Sequence, residues 1–258
     1  MDEKRIEKKG QATIWVIVAI SLVAVIILLF IFRGKVVKTD LIDSVEENPG
    51  SFIDNCARNA VNEVVDIILP KGGFVNPSHT KMHKGENISY LCFNAGNYNP
   101  CINEHPLYLT EIKREVETYI TPKIEECFET YKLEMEKRGS IVEIGIMDVD
   151  VELVPDRVFV LIQRKVNIES REQSYSYNNF DVEIISPLYN LGRIGAEIAS
   201  QEAEYCYFEY VGYMILYPKF KIGRDITSDS TKIYSIKDKK SGKELKIAIR
   251  SCAIPPGF

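Results

Sequence analysis

Residues 142–154, VEIGIMDVDVELV, are followed after Pro155-Asp156 by residues 157–169, RVFVLIQRKVNIE, and then, past a polar segment around Arg171 and Glu172, by residues 174–185, SYSYNNFDVEII. Each stretch shows partial apolar-polar alternation, the period of a strand with one face buried, and the breaks between them carry turn residues. Three such strands joined in sequence predict an antiparallel meander. Downstream, Ser186-Pro187 caps a helix that carries Leu191, Ile194, Ile198 and Tyr205 through about residue 208. A final hairpin is expected near residues 231–237 and 244–251, joined by the turn-rich KDKKSGKE.

Upstream of the meander the period changes to helical. Phe52, Cys56, Ala60, Val64 and Ile67 form one apolar stripe over residues 51–69, with Ser51 as the cap and Pro70-Lys71-Gly72-Gly73 as the stop. Asn48-Pro49-Gly50 reads as a turn. Residues 74–107, rich in Gly, Asn, Pro and His, show little periodicity. Thr110 and Glu111 open a further helix. Thr121-Pro122 offers a cap and a proline at the first helical position, so a separate helix is expected over 122–138, with Ile124, Cys127, Phe128, Tyr131 and Met135 on one side. Strands and helices fall in separate runs without short β-α-β alternation. The expected class is therefore α+β, with amphipathic helices packed on an antiparallel sheet.

Residues 12–32, ATIWVIVAISLVAVIILLFIF, are 21 in a row without a charge. As a helix they measure about 31 Å, which matches the ~30 Å hydrocarbon core of a bilayer. The run is apolar on every face and is too long for a cleaved secretory signal, which makes it a single transmembrane helix. Lys4, Arg5, Lys8 and Lys9 precede it and Arg33, Lys35 and Lys38 follow, so charge alone barely orients it. Lys8-Lys9-Gly10-Gln11-Ala12-Thr13 abuts the run directly. This pattern resembles the class III signal of archaeal type IV pilin-like proteins, whose basic leader is cut after the glycine while the helix stays behind as anchor or filament core. The resemblance covers residues 1–32 and implies cleavage between Gly10 and Gln11, a cytoplasmic amino terminus and a carboxy-terminal domain outside the cell membrane. Its partners would be the lipid bilayer and envelope or pilin-like proteins. Polymerising pilins often carry glutamate at the fifth mature position, where this chain has Trp15. A plain uncleaved signal-anchor is the alternative. The expected organisation is a basic leader at 1–10, the transmembrane helix at 11–32, a stalk at 33–50 and an extracytoplasmic domain at 51–258.

All six cysteines lie beyond the apolar run. An even number confined to one side of a membrane indicates an oxidising compartment and disulfides. Cys92 and Cys101 bound a short turn-rich loop and are the most defensible bridge, worth about 2.5 to 3 kcal/mol in loop-closure entropy. Cys56 with Cys127, and Cys206 with Cys252, are the remaining guesses among 15 possible pairings. Asn87-Ile88-Ser89 is a glycosylation sequon in a polar stretch where a surface loop is expected.

Without its first ten residues the chain holds 28 Lys and Arg against 34 Asp and Glu. Such an acidic chain is a poor partner for nucleic acid. His79 and His83 have i, i+4 spacing, but Pro77 and Gly85 bracket them and no HExxH motif is present, so no metal site is assigned. No G-x-S-x-G elbow occurs, and Gly192 and Gly195 do not follow a strand as a phosphate loop would. No catalytic residue or cofactor is assigned, and the chain reads as a non-enzyme. Tyr205, Tyr207, Tyr210, Tyr213 and Tyr217 crowd one segment, a composition suited to a recognition surface. These features point to a surface protein in a structural, adhesive or assembly role. A membrane-tethered ligand-binding module is the alternative, and an ecto-hydrolase a more distant one.

Overall fold

Asn48-Pro49-Gly50, expected as a turn, starts a helix in the computed structural model, which describes residues 21–23, 48–170 and 173–255. The leader with Gly10 and Gln11, nearly all of the apolar run, residues 33–47 and the polar Arg171-Glu172 segment lie outside the described residues. Ser21, Leu22 and Val23 are helical. Among the described residues no helix is long and apolar enough to cross a membrane. The chain divides after Glu47, and the sheets with their packed helices belong to the unit Asn48–Phe258.

Helix α1 spans Pro49–Ile68. Asn48 is its cap in place of Ser51: its backbone is extended and its Oδ1 accepts from Gly50 N at 2.9 Å. Pro49 then sits at the first helical position, where its missing N–H costs nothing. The buried face carries Ile53, Ala57, Val61, Val64 and Ile68, and Phe52, Cys56 and Ile67 flank it half-buried, so the stripe is rotated slightly from the expected one. A 3-10 turn over Leu69–Lys71 ends at Gly72 and Gly73, with φ of 84° and 91°. A Cβ on Gly73 would lie 2.7 Å from the Tyr108 hydroxyl, which donates to Gly72 O at 2.8 Å. Both backbone angle and space demand glycine there.

The stretch 74–107 contains strands β1 (Thr80–His83), β2 (Glu86–Phe93) and β3 (Ile102–Asn103). Ile88 to Cys92 are all buried, so β2 shows no alternation and gives no period-two signal. The surface loop expected around the sequon is a strand: Asn87 is exposed on β2 beside the Lys84-Gly85 turn, and Ser89 is 2% exposed.

The two helices expected on either side of Pro122 are one. Helix α2 runs over Tyr108–Lys137 with the proline inside it. Tyr108, Ile112, Val116, Ile120, Ile124 and Phe128 are buried at a constant spacing of four, and exposed Pro122 lies off that stripe. Continuous burial outweighs the one missing N–H. The meander comes next as β4 (Ile141–Val154), β5 (Arg157–Glu169) and β6 (Ser174–Ile185), an antiparallel three-stranded sheet in that order. Its inward row Val151, Val160 and Val182 is in register, and Phe180 meets Phe128 of α2 edge-on at 5.2 Å.

Helix α3 (Leu188–Tyr205) begins at Ser186-Pro187, with Ser186 Oγ accepting from Leu188 N. Gly192 and Gly195 are packing positions: a Cβ on Gly192 would press on Leu109 and Ile112, and one on Gly195 on Tyr108 and Leu245. After α3 come the short helix α4 (Tyr210–Leu216) and strand β7 (Phe220–Ile226), neither of which was expected, and then β8 (Lys232–Asp238) and β9 (Glu244–Arg250). The second sheet has the order β1-β2-β9-β8-β7, with β3 beside β2. Here the single antiparallel sheet is corrected. Among the described residues there are two sheets, and β2 pairs with β9 in parallel. The class remains α+β, and α2 touches both α3 and the meander.

Candidate interaction surface

The tyrosine-rich segment lies where α3 ends and over α4, just before β7. The inner stripe of α3 continues Leu191, Ile194 and Ile198 into Glu202, which is 0% exposed. Its carboxylate accepts from Lys232 Nζ at 2.6 Å and from the Tyr234 hydroxyl at 2.5 Å, and Lys232 Nζ also donates to Cys206 O. Ser251 Oγ donates to Glu202 O at 2.7 Å and accepts from Cys101 N at 3.0 Å. Burial and the neighbouring Glu202 push the Tyr234 hydroxyl well above its ordinary range, so it stays a donor. The network is paired throughout, as a buried charge requires.

Disulfides pin the same region. Cys206 closes α3 in the left-handed conformation, φ 57°, and bonds to Cys252 beyond β9. Cys92 bonds to Cys101, which ties the end of β2 to the residue before β3, and Cys56 bonds to Cys127 across α1 and α2. These are the three pairs suggested by the sequence, and no free cysteine remains among the described residues.

On this base α4 is held at its amino-terminal end and by its inward side chains. The Glu209 carboxylate accepts from Val211 N at 3.1 Å, Gly212 N at 3.2 Å and the Tyr207 hydroxyl at 2.7 Å. The Tyr207 bond and the Gly212 and Val211 amides hold the carboxyl below its usual range. Tyr213 faces inward against Phe208, 5.4 Å between ring centroids, and burial pushes its hydroxyl up to about 12. Met214 Sδ receives the Ile222 N–H and so covers the outer edge of β7. The Arg224 guanidinium lies 5.6 Å from the Tyr207 ring centroid and 5.3 Å from that of Tyr210, within cation–π range.

What remains outward is apolar. Ile215 and Leu216 are each 75% exposed, and Val211, Tyr205, Tyr207 and Tyr217 share the surface around them. Val211 and Ile215 are four residues apart on a short helix and form one ridge. Buried Glu202 and half-buried Lys232 and Arg224 behind it were missed in the sequence, though Glu202 stands in phase with the apolar stripe of α3. Exposure of Ile215 and Leu216 left no sequence signal, because YMIL reads equally well as core.

Other candidates do not converge. His79 Nδ1 lies 2.9 Å from a Glu104 carboxylate oxygen and its ring stacks by Tyr90 and Phe93, while His83 meets Asp225 at 3.3 Å. Among the described residues no group of three His, Cys, Asp or Glu side chains is placed to hold a metal. Two shallow grooves flank Pro122, of ≈ 440 and ≈ 710 Å³. The two charged groups lining the larger, Arg164 and Glu125, pair with each other at 2.8 and 2.9 Å, and Arg164 also donates to Gly145 O and lies over the Phe128 ring. Comparison with protein families, with curated proteins and with solved structures gives no match.

Proposed function

We propose that this chain is a single-pass membrane-anchored cell-surface protein with a pilin-like export signal, whose disulfide-stapled domain acts outside the cell in a structural, adhesive or assembly role. The carrying observation is the pairing of all six cysteines into three bridges, every one beyond the uncharged run of 21 residues. A chain that needs both a bilayer and an oxidising compartment works at the outer face of a membrane. The rigid ridge on α4 supports an interaction role, because aromatic and aliphatic side chains held by a fixed scaffold lose little entropy on contact.

Mass spectrometry of the chain extracted from membranes tests the reading. A mature amino terminus at Gln11 and six oxidised sulfurs are expected, with residues 48–258 cut by protease added outside intact cells. Recovery in a detergent-free cytosolic fraction with free thiols overturns it.

A further inference from the structure

We infer that the α4 ridge and the lysines beside it form a docking face for an anionic lipid surface, laying the domain against the bilayer that anchors it. This rests on the anchored reading above and names the partner of the same surface.

The apolar half of the face is Val211, Ile215, Leu216 and Tyr217, all exposed. The basic half is adjoining. Pro218 and Lys219 come directly after α4, the Lys239 N–H donates to Lys219 O at 3.0 Å, and Lys239 Nζ donates to Pro218 O at 2.7 Å. One step along the hairpin, Lys221 is the register partner of Lys237. All four lysines are exposed, and the alternation that turns Phe220, Ile222 and Ile236 inward puts them on the outer side. Two carboxylates neighbour the group: Asp156, 3.5 Å from Lys219 with both partners half-exposed or more, and Glu244, the half-buried register partner of Lys237 on β9. In a domain that is acidic as a whole, this is a local excess of positive charge.

The combination of exposed aliphatics, tyrosines and lysines on flexible stems is the chemistry of a membrane interface. Apolar groups enter the headgroup boundary, tyrosines sit at its level, and lysines meet the phosphates. A second copy of this chain fits less well. The cores of protein interfaces are depleted in lysine.

Tether length makes weak docking effective. Residues 33–47 separate the apolar run from the capping Asn48, and fifteen extended residues reach at most about 50 Å. A domain on so short a leash meets its own bilayer at an effective concentration of the order of millimolar. The attraction is electrostatic in part and weakens with salt over the ~8 Å screening length at physiological ionic strength.

The test uses the full chain, with Ile, Leu and Val methyl-labelled, in nanodiscs carrying a trace of gadolinium-chelating lipid. One set of discs is phosphatidylcholine alone and the other includes phosphatidylglycerol. Ile146 is the internal control, being 94% exposed on β4, on the other sheet. With phosphatidylglycerol, the Ile215 and Leu216 methyl signals should lose more than half their intensity while Ile146 keeps its own. The loss should shrink several-fold without the anionic lipid and in the Lys219→Glu, Lys239→Glu variant. Equal losses at Ile215 and Ile146 overturn the proposal, as does broadening that grows with protein concentration in discs free of gadolinium, the mark of a copy-to-copy contact. A chain that fails to co-elute with the discs overturns the anchored reading and the docking with it, whereas co-elution without selective broadening overturns the docking alone.

Discussion

Glu202 concentrates the residue-scale physics of the domain. A carboxylate with 0% exposure survives there because Lys232 and Tyr234 both donate to it, and because Lys232 spends a second proton on Cys206 O. Substituting Glu202→Gln keeps the shape and removes the charge, leaving the ammonium of Lys232 nearly buried without its counter-ion. Breaking one side of a buried pair is strongly destabilising, so the variant should lose about 3 to 5 kcal/mol in urea unfolding. Lys232→Met should lose a comparable amount, since it strands the other charge. A loss below about 1 kcal/mol in both variants would place the pair among surface-like contacts. The position was legible in part: spacing from Ile198 places residue 202 on the inner face of α3, but the sequence does not pair it with a lysine thirty residues on.

At the scale of elements, legibility depended on burial on one face. The meander, α1 and α3 each bury one face and expose the other, and were found; the last hairpin was found too, although Ile233 and Ala248 are buried on the face opposite to Tyr234 and Ile247. Strand β2 was hidden because Ile88 to Cys92 are buried on both sides, and its parallel pairing with β9 joins segments far apart in sequence. Helix α4 was hidden for the opposite reason, since its apolar residues point both inward and outward. Helix α2 was divided at Pro122 by a local rule that the stripe from Ile112 to Phe128 overrides. Residue 122 offers no N–H to the Thr118 carbonyl, and the Thr121 Oγ1 bond at 2.7 Å goes to the neighbouring Glu117 O. Pro122→Ala, at an exposed position, restores the missing donor and should raise stability by about 1 to 3 kcal/mol in chemical unfolding. A loss in its place would show that the proline sets a bend required by the two packed halves of the helix.

For the domain as a whole, the disulfides decide where the fold can exist. Sequence separations of 71, 46 and 9 residues for Cys56–Cys127, Cys206–Cys252 and Cys92–Cys101 correspond to loop-closure contributions of about 4.4, 4.0 and 2.6 kcal/mol. Together they rival the roughly 5 to 15 kcal/mol by which whole domains are stable. Paired Cys→Ala variants should therefore lose stability in the order of their separations, the α1–α2 bridge most and the short β2–β3 bridge least. Adding a reductant to the intact chain should lower its unfolding midpoint steeply, as measured by circular dichroism with and without a phosphine. The physical reason lies in the unfolded chain, which without its cross-links gains conformations faster than the native core can offset. Equal midpoints with and without reductant would mean that the packing of α2 against both of its neighbours suffices alone, and would remove the requirement for an oxidising compartment.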